Sequence, residues 1–175
     1  QTAKTYHADV IVRITGDCPL IDPVVVDSVI TGYLSGNYDF YGLSGKFPDG
    51  LDCTVFSISS IAKASREAKL QSEREHVGPY IENNPHLFRN GKIEIFDDLE
   101  SYRWTLDELA DYKLLSKIFN ELYRLNSPFL THEVLQLMKD RPELRQINKG
   151  IIRNEGYIKS LQKDGETGWL VKKYY

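Results

Sequence analysis

The run ADVIVRITGDCPLIDP, from Ala8 to Pro23, carries an apolar stretch straight into an acidic turn. Ile11, Val12 and Ile14 are β-branched and the run is too short for a helix, so it predicts a buried strand. Gly16 and Pro19 end it, because proline cannot continue a ladder and the pair enforces a turn. Asp17 therefore leaves the sheet with its carboxylate free. In open α/β sheets the ligand sits beyond the carboxyl ends of the strands, which is where Asp17 and Asp22 fall. Asp22, Pro23 and VVVDSVITGYL read as N-cap, first helical position and helix. Asp17 either caps a helix in the same way or offers its carboxylate to a hard cation such as Mg²⁺, which prefers oxygen ligands and accompanies phosphates.

The rest of the chain alternates strand and helix signals. YDFYGL reads as an aromatic strand and SGKFPDG as a Gly/Pro loop, followed by LDCTVFSI as a partly buried strand. Ser59 or Ser60 is the expected cap of IAKASREAKL, and Ser72 with Glu75 forms a capping-box pattern ahead of HVGPYIENNP. KIEIFDD and YRWTLD read as further strands, the second ending in Asp107. Leu109, Tyr112, Leu115, Ile118, Phe119 and Leu122 recur at helical spacing between Asp107 and Arg124. Thr131 is the expected cap of a last helix stopped by Pro142. The pattern predicts an α/β fold with a mainly parallel sheet and helices on both faces. Residues 147–175 are mixed and polar apart from Trp169, Leu170 and Val171, and read as an extension that packs on the body or on a partner subunit.

Composition narrows the partners. The 175 residues are 41% hydrophobic and 27% charged with a net charge of −3, so a single globular domain is expected and no basic face is offered to nucleic acid. No apolar stretch reaches the about 20 residues needed to span a bilayer. Two cysteines, Cys18 and Cys53, lack metal-ligand spacing and suit free thiols in a reducing, cytoplasmic compartment.

Nucleotidyl and phosphoryl transfer need positioned charge more than protein nucleophiles, commonly Mg²⁺ held by carboxylates. Asp17 and Asp107 at strand ends can supply it, although an Asp ahead of a helix is also a routine cap. Asp49 and Asp52 flank Gly50 and Leu51 in PDGLD, either as a plain turn or as a turn facing sugar hydroxyls. Arg74, Glu75 and His76 bring a cation, an anion and a titratable ring to an expected helix start, where an anionic group is favoured. Arg13 and Arg103 project beside the aspartates and either pair with them or bind substrate. Cys18 is a poor nucleophile, since acidic neighbours disfavour its thiolate.

Four motifs, TGDCPLIDP, PDGLD, SEREHVGPYI and YRWTLDELADYKLL, occur in order and in register. Together they resemble the spore-coat-polysaccharide-type cytidylyltransferases, relatives of the acylneuraminate and 3-deoxy-manno-octulosonate cytidylyltransferases, from Ala8 to the NEGYIKSL segment. The resemblance implies a Rossmann-like fold of the nucleotide-diphospho-sugar transferase type. Residues 1–146 would form the C-terminal two thirds of the nucleotidyltransferase-like domain, its N-terminal Gly/Arg/Lys-rich nucleotide loop missing from this chain. It also implies CTP and an acceptor sugar as substrates and a CMP-sugar as product for surface polysaccharide. Asp17 and Asp107 would be the catalytic magnesium ligands, Asp49, Asp52, Arg74, His76 and Arg103 would contact substrate, and a homodimer is plausible. Where the family usually carries an acidic residue after PDGLD-Cys, this chain has Thr54. The competing expectation is a non-catalytic sugar-binding or assembly module built on the same fold.

Overall fold

The computed structural model describes residues 1–165. The apolar patch of Trp169, Leu170 and Val171 lies outside the described residues. Four strands, β1 (Val10–Ile14), β2 (Phe40–Leu43), β3 (Cys53–Ser57) and β4 (Asn90–Ile93), form one sheet in the order β1-β3-β2-β4. The α/β class is as expected, with one correction to the pairing: among the described strands β1–β3 and β2–β3 are antiparallel and only β2–β4 is parallel. The physical reason is local. The SGKFPDG loop is short enough to return β3 antiparallel beside β2, whereas β4 comes back only after three helices, the long crossover that a parallel neighbour requires.

Period-two alternation assigns the two faces. Phe40 opposite Phe56 points to one side and Tyr41 opposite Val55 to the other. Helix α2 (Pro23–Leu34) covers the second face with Val29 and Tyr33 against Tyr41, Cys53 and Val55. On the first face α3 (Ile58–Glu67) and α5 (Pro79–Glu82) bring Ala64 and Ile81 onto Phe40, Phe56 and Phe88. A third cluster joins the PDGLD loop to the C-terminal helices: Leu51 and Trp104 pack with Leu114 and Ile118 of α6 (Leu109–Leu122) and Val134 and Met138 of α7 (Thr131–Asp140). Each such fully buried side chain contributes about 1.5–3 kcal/mol.

Several local expectations shift. Strand β1 is not buried: Val10, Val12 and Ile14 are exposed on one face, because no described element covers them. The cap of α3 is Ser57, whose Oγ accepts the Ser60 N–H at 3.1 Å. Helix α4 (Gln71–His76) starts before Ser72, so its capping carboxylate is Glu73 and not Glu75. YRWTLD is no strand; it makes a single bridge between Arg103 and Asp49. Helix α6 begins after Glu108, and its inward positions are Asp111, Leu114, Leu115 and Ile118, while Leu109 and Tyr112 are exposed.

Asp22 performs the capping role expected of it and one more. Oδ1 accepts from Val24 N–H at 2.8 Å, and Oδ2 accepts from Thr131 N–H at 2.9 Å, so one buried carboxylate starts both α2 and α7. Burial pushes its pKa up, but the Thr131 and Val24 donors outweigh it and leave the carboxyl lowered. The last described helix, α8 (Glu155–Lys163), is tied to α4 by Asp164, whose carboxylate accepts the N–H groups of Gln71 at 2.8 Å and Ser72 at 3.2 Å.

Candidate active site

Two backbone segments meet where β1 ends. The Asp17 carbonyl accepts the Leu106 N–H at 2.8 Å, and the Thr105 hydroxyl lies 3.1 Å from that carbonyl and 3.4 Å from Asp107 Oδ2. This stitch brings the TGD and TLD motifs together although 88 residues separate Asp17 from Thr105. Both aspartates line a polar cleft of about 630 Å³, within the range of small-molecule sites. Asp49, Asp52, His76 and Arg103 line it too. Arg74 is not among its lining residues; it is exposed and its Nη1 donates to the Ala68 carbonyl at 3.3 Å.

Asp52 sits on the PDGLD turn with Oδ2 accepting the Gly50 N–H at 3.2 Å. Asp49 faces inward. Its Oδ2 accepts from Arg103 Nη1 at 3.0 Å, and Arg153 Nε lies 4.0 Å from Oδ1 while Arg153 Nη1 donates to the Phe47 carbonyl at 2.7 Å. Burial pushes the Asp49 carboxyl up to about 6; Arg153 and Arg103 oppose this, and Asp52 and Asp107 add to it. Asp49 thus holds its proton more tightly folded than unfolded, and its ionisation weakens the fold as pH rises from about 4 towards 6. Asp49→Asn should remove that decline. Melting temperatures of both proteins from pH 4 to 7 are expected to show the variant gaining on the order of 2–3 kcal/mol relative to the parent across that window. A constant difference across the window would contradict it.

Arg103 is engaged by three carboxylates: Asp49, Asp107 through Nη2 at 2.8 Å, and Asp111 through Nε and Nη2. Of the two arginines expected beside the aspartates, Arg103 pairs with them. Arg13 makes no ion pair among the described residues and faces the cleft from β1, opposite Thr54. Asp107 does not cap α6, since that position belongs to Glu108. The sequence reading missed Asp111 altogether.

His76 ends α4 rather than starting a helix, so no helix N-terminus stands behind it. Its Nε2 lies 3.1 Å from Ser160 Oγ, which donates to Glu75 Oε2 at 2.9 Å, and its ring meets Tyr157 edge-on. Burial, with Arg13 nearby, lowers its pKa against the pull of Glu75, which favours the neutral ring donating to Ser160. Val77 follows at φ 66° and ψ −51°, and the Gly78 N–H returns to the His76 carbonyl at 2.7 Å. This is a γ-turn with positive φ on a β-branched residue, a strained geometry of the kind that clusters at ligand sites. Residues of α8 close this side of the cleft, with Glu155 and Lys159 paired at 2.7 Å. Cys18 is buried and its thiol is pushed up to about 12, mainly by burial and further by Asp52 and Asp17, so it stays protonated.

Among the described residues no three His, Cys, Asp or Glu side chains gather to hold a metal by themselves. Asp17 and Asp107 both bring hard oxygen donors to the cleft. That set fits magnesium, which keeps several waters and is bound through one or two carboxylates and the substrate's phosphates. No helix among the described residues is long and apolar enough to cross a membrane.

A mixed α/β sheet with a polar cleft lined by carboxylates suits a small-molecule site, and the family follows from comparison with known proteins. The chain belongs to the cytidylyltransferase family, whose family model matches residues 1–126. It is 32% identical over 159 residues to an uncharacterized protein of Methanocaldococcus jannaschii, covering 90% of this chain and 64% of that protein. It is 31% identical over 125 residues to the spore coat polysaccharide biosynthesis protein SpsF of Bacillus subtilis, covering 69% of this chain and 51% of SpsF. A solved cytidylyltransferase from Leptospira borgpetersenii serovar Hardjo-bovis superposes with a TM-score of 0.77 at 33% identity, covering 86% of this chain and 63% of the other. The chain therefore spans between half and two thirds of the length of these relatives.

Proposed function

We propose that this chain carries the acceptor-facing part of a cytidylyltransferase that joins CTP to a sugar hydroxyl, releasing pyrophosphate and forming a CMP-sugar for surface polysaccharide. The observation that carries the reading is the Asp17–Leu106 backbone stitch, which brings Asp17 and Asp107 to a cleft that also holds Asp52 and Arg13. Magnesium bound there would neutralise charge developing at the α-phosphate. Asp17 and Asp107 would be its protein ligands. Asp52, on the PDGLD turn, would orient acceptor hydroxyls. Arg13 and Lys92 offer positive charge to the same cleft, as anionic substrates require. His76 serves as a neutral hydrogen-bonding wall fixed through Ser160 and Glu75. Free, buried Cys18 and Cys53 support a reducing, cytoplasmic setting.

The test is a magnesium-dependent calorimetric titration of CTP against ATP, GTP and UTP, with Asp17→Ala as control. Selective CTP binding that weakens by about tenfold or more in the variant is expected, a loss typical of one metal-centred contact. Absence of nucleotide binding by the full-length protein would favour a sugar-binding or assembly module instead.

A further inference from the structure

Behind the cleft that Arg103, Asp49 and Asp107 line stands a buried carboxylate that does not line it. Asp111 is fully buried. Its Oδ1 accepts from Arg103 Nε at 3.1 Å and from Asn148 Nδ2 at 2.8 Å. Its Oδ2 accepts from Arg103 Nη2 at 3.0 Å and from the backbone N–H of Glu108 at 3.0 Å and of Asp107 at 3.3 Å. Asn148 also donates to the Arg103 carbonyl at 2.9 Å. The guanidinium is thereby held on its Nε edge, and its two Nη groups reach outward to Asp49 and Asp107. A planar fork pinned on one edge cannot turn without breaking several charge-assisted bonds.

We propose that Arg103 and Asn148 are positioning residues for the reaction centre: with Asp111 they hold one oxygen of the Asp107 carboxylate and so fix its second oxygen for a divalent cation. The inference rests on the reading of Asp107 as a metal-binding carboxylate. Three observations carry it. Among the described residues only Oδ2 of Asp107 is engaged. The side chain is half exposed, and among the described residues its hydrogen bonds come from Arg103 and Thr105. The same Asp111 oxygen that grips Arg103 also binds the Asp107 backbone N–H, fixing main chain and side chain together. Asn148 comes from beyond the 1–126 region of the family match, so the C-terminal segment takes part in organising the site. Partners that orient a metal ligand typically alter metal affinity 10- to 100-fold when removed.

The experiment adds Mn²⁺ alone to protein carrying ¹³C-carboxyl aspartate and follows paramagnetic broadening, with signals assigned through Asp17→Asn and Asp107→Asn. In the unsubstituted protein Mn²⁺ should broaden both carboxyl signals. Because Asp17 and Asp107 would share one ion, Arg103→Lys and Asn148→Leu should each raise the Mn²⁺ concentration needed to broaden both signals by about tenfold or more. A merely structural network would lower the melting temperature of a variant and leave the Mn²⁺ concentration needed at both signals unchanged. If Arg103→Lys loses its cooperative melt, Asn148→Leu, which removes no charge, decides the matter. Unchanged broadening at Asp107 in a folded variant would overturn this inference alone. No broadening of either signal in the unsubstituted protein would overturn the metal reading and the inference with it.

Discussion

Gly50→Ala is expected to lower stability by about 2–6 kcal/mol, from about 1–3 for a side chain at a disallowed backbone angle and a similar amount for overpacking. Gly50 has φ +102°, and a Cβ there would lie 2.6 Å from the Trp104 carbonyl carbon and 2.7 Å from the Thr105 nitrogen. Those are backbone atoms, and the strand-like bridge between Asp49 and Arg103 keeps them from moving away. The Trp104 N–H to Asp49 carbonyl bond, at 2.7 Å, and the Asp49 N–H to Tyr102 carbonyl bond, at 2.9 Å, would have to stretch. Asp49 and Asp52 stand on either side of the glycine, so the loss extends to the site. For a domain of this size the melting temperature should fall by about 5–20 °C. Gly16→Ala is the control: its loop also belongs to a site motif, but a Cβ there meets nothing within 4 Å and its φ is ordinary. Equal melting of the two variants would refute the argument.

The contrast between these glycines shows where sequence reasoning reached and where it stopped. The PDG turn was legible because Pro-Asp-Gly names its own backbone angles. The close approach of Trp104 was not, since it depends on a contact between segments nearly a third of the chain apart. Asp22 was legible as a cap for the same local reason, but its second bond to Thr131 was not. The period-two strands β2 and β3 followed from local pattern. The antiparallel turn of β3 did not, because alternating strand and helix signals favour a parallel assignment whenever a short connection is overlooked. YRWTLD looked like a strand because Tyr102, Trp104 and Thr105 favour extended backbone, yet Trp104 is buried against helices rather than in a ladder. The pairing of Asp17 with Asp107 came from resemblance; spacing alone could not have joined them. Arg74 shows the converse: a charged residue inside a family motif can still point away from the cleft when the helix beneath it begins earlier than expected. Asp111 was invisible because hydrophobic periodicity assigns a carboxylate to the outer face of a helix. The signal that could have found it is the inward slot it occupies, three and four residues ahead of Leu114 and Leu115.

Asp111→Ala is expected to cost about 3–5 kcal/mol, the range for removing one partner of a buried ion pair. The variant would leave Arg103, whose side chain is 10% exposed, facing Asp49 and Asp107 without its main anchor, and would take one of two acceptors from Asn148 Nδ2 and the side-chain partner from the Glu108 N–H. Burial alone would push the Asp111 carboxyl up; Arg103, Asn148 and the Glu108 N–H outweigh it and hold the pKa lowered. Its contribution is therefore present above the ordinary carboxylate range and lost as pH falls through the depressed value. Asp49 has the opposite sign, because its burial raises the pKa by more than Arg153 and Arg103 lower it. Urea unfolding at pH 7 measures the effect, and a cycle through Arg103→Met and Asp111→Leu isolates the pair. The double variant should be more stable than the sum of the single losses predicts, by up to about 3 kcal/mol, since removing both partners leaves no uncompensated charge between them. The exposed Lys46–Asp98 pair is the comparison: breaking it with Lys46→Met should leave the urea midpoint nearly unchanged, as solvent screens it. If Asp111→Ala proved as mild as Lys46→Met, the ion cluster would not be what joins the PDGLD loop to α6, and the site would have to be held by the Leu51–Trp104 packing alone.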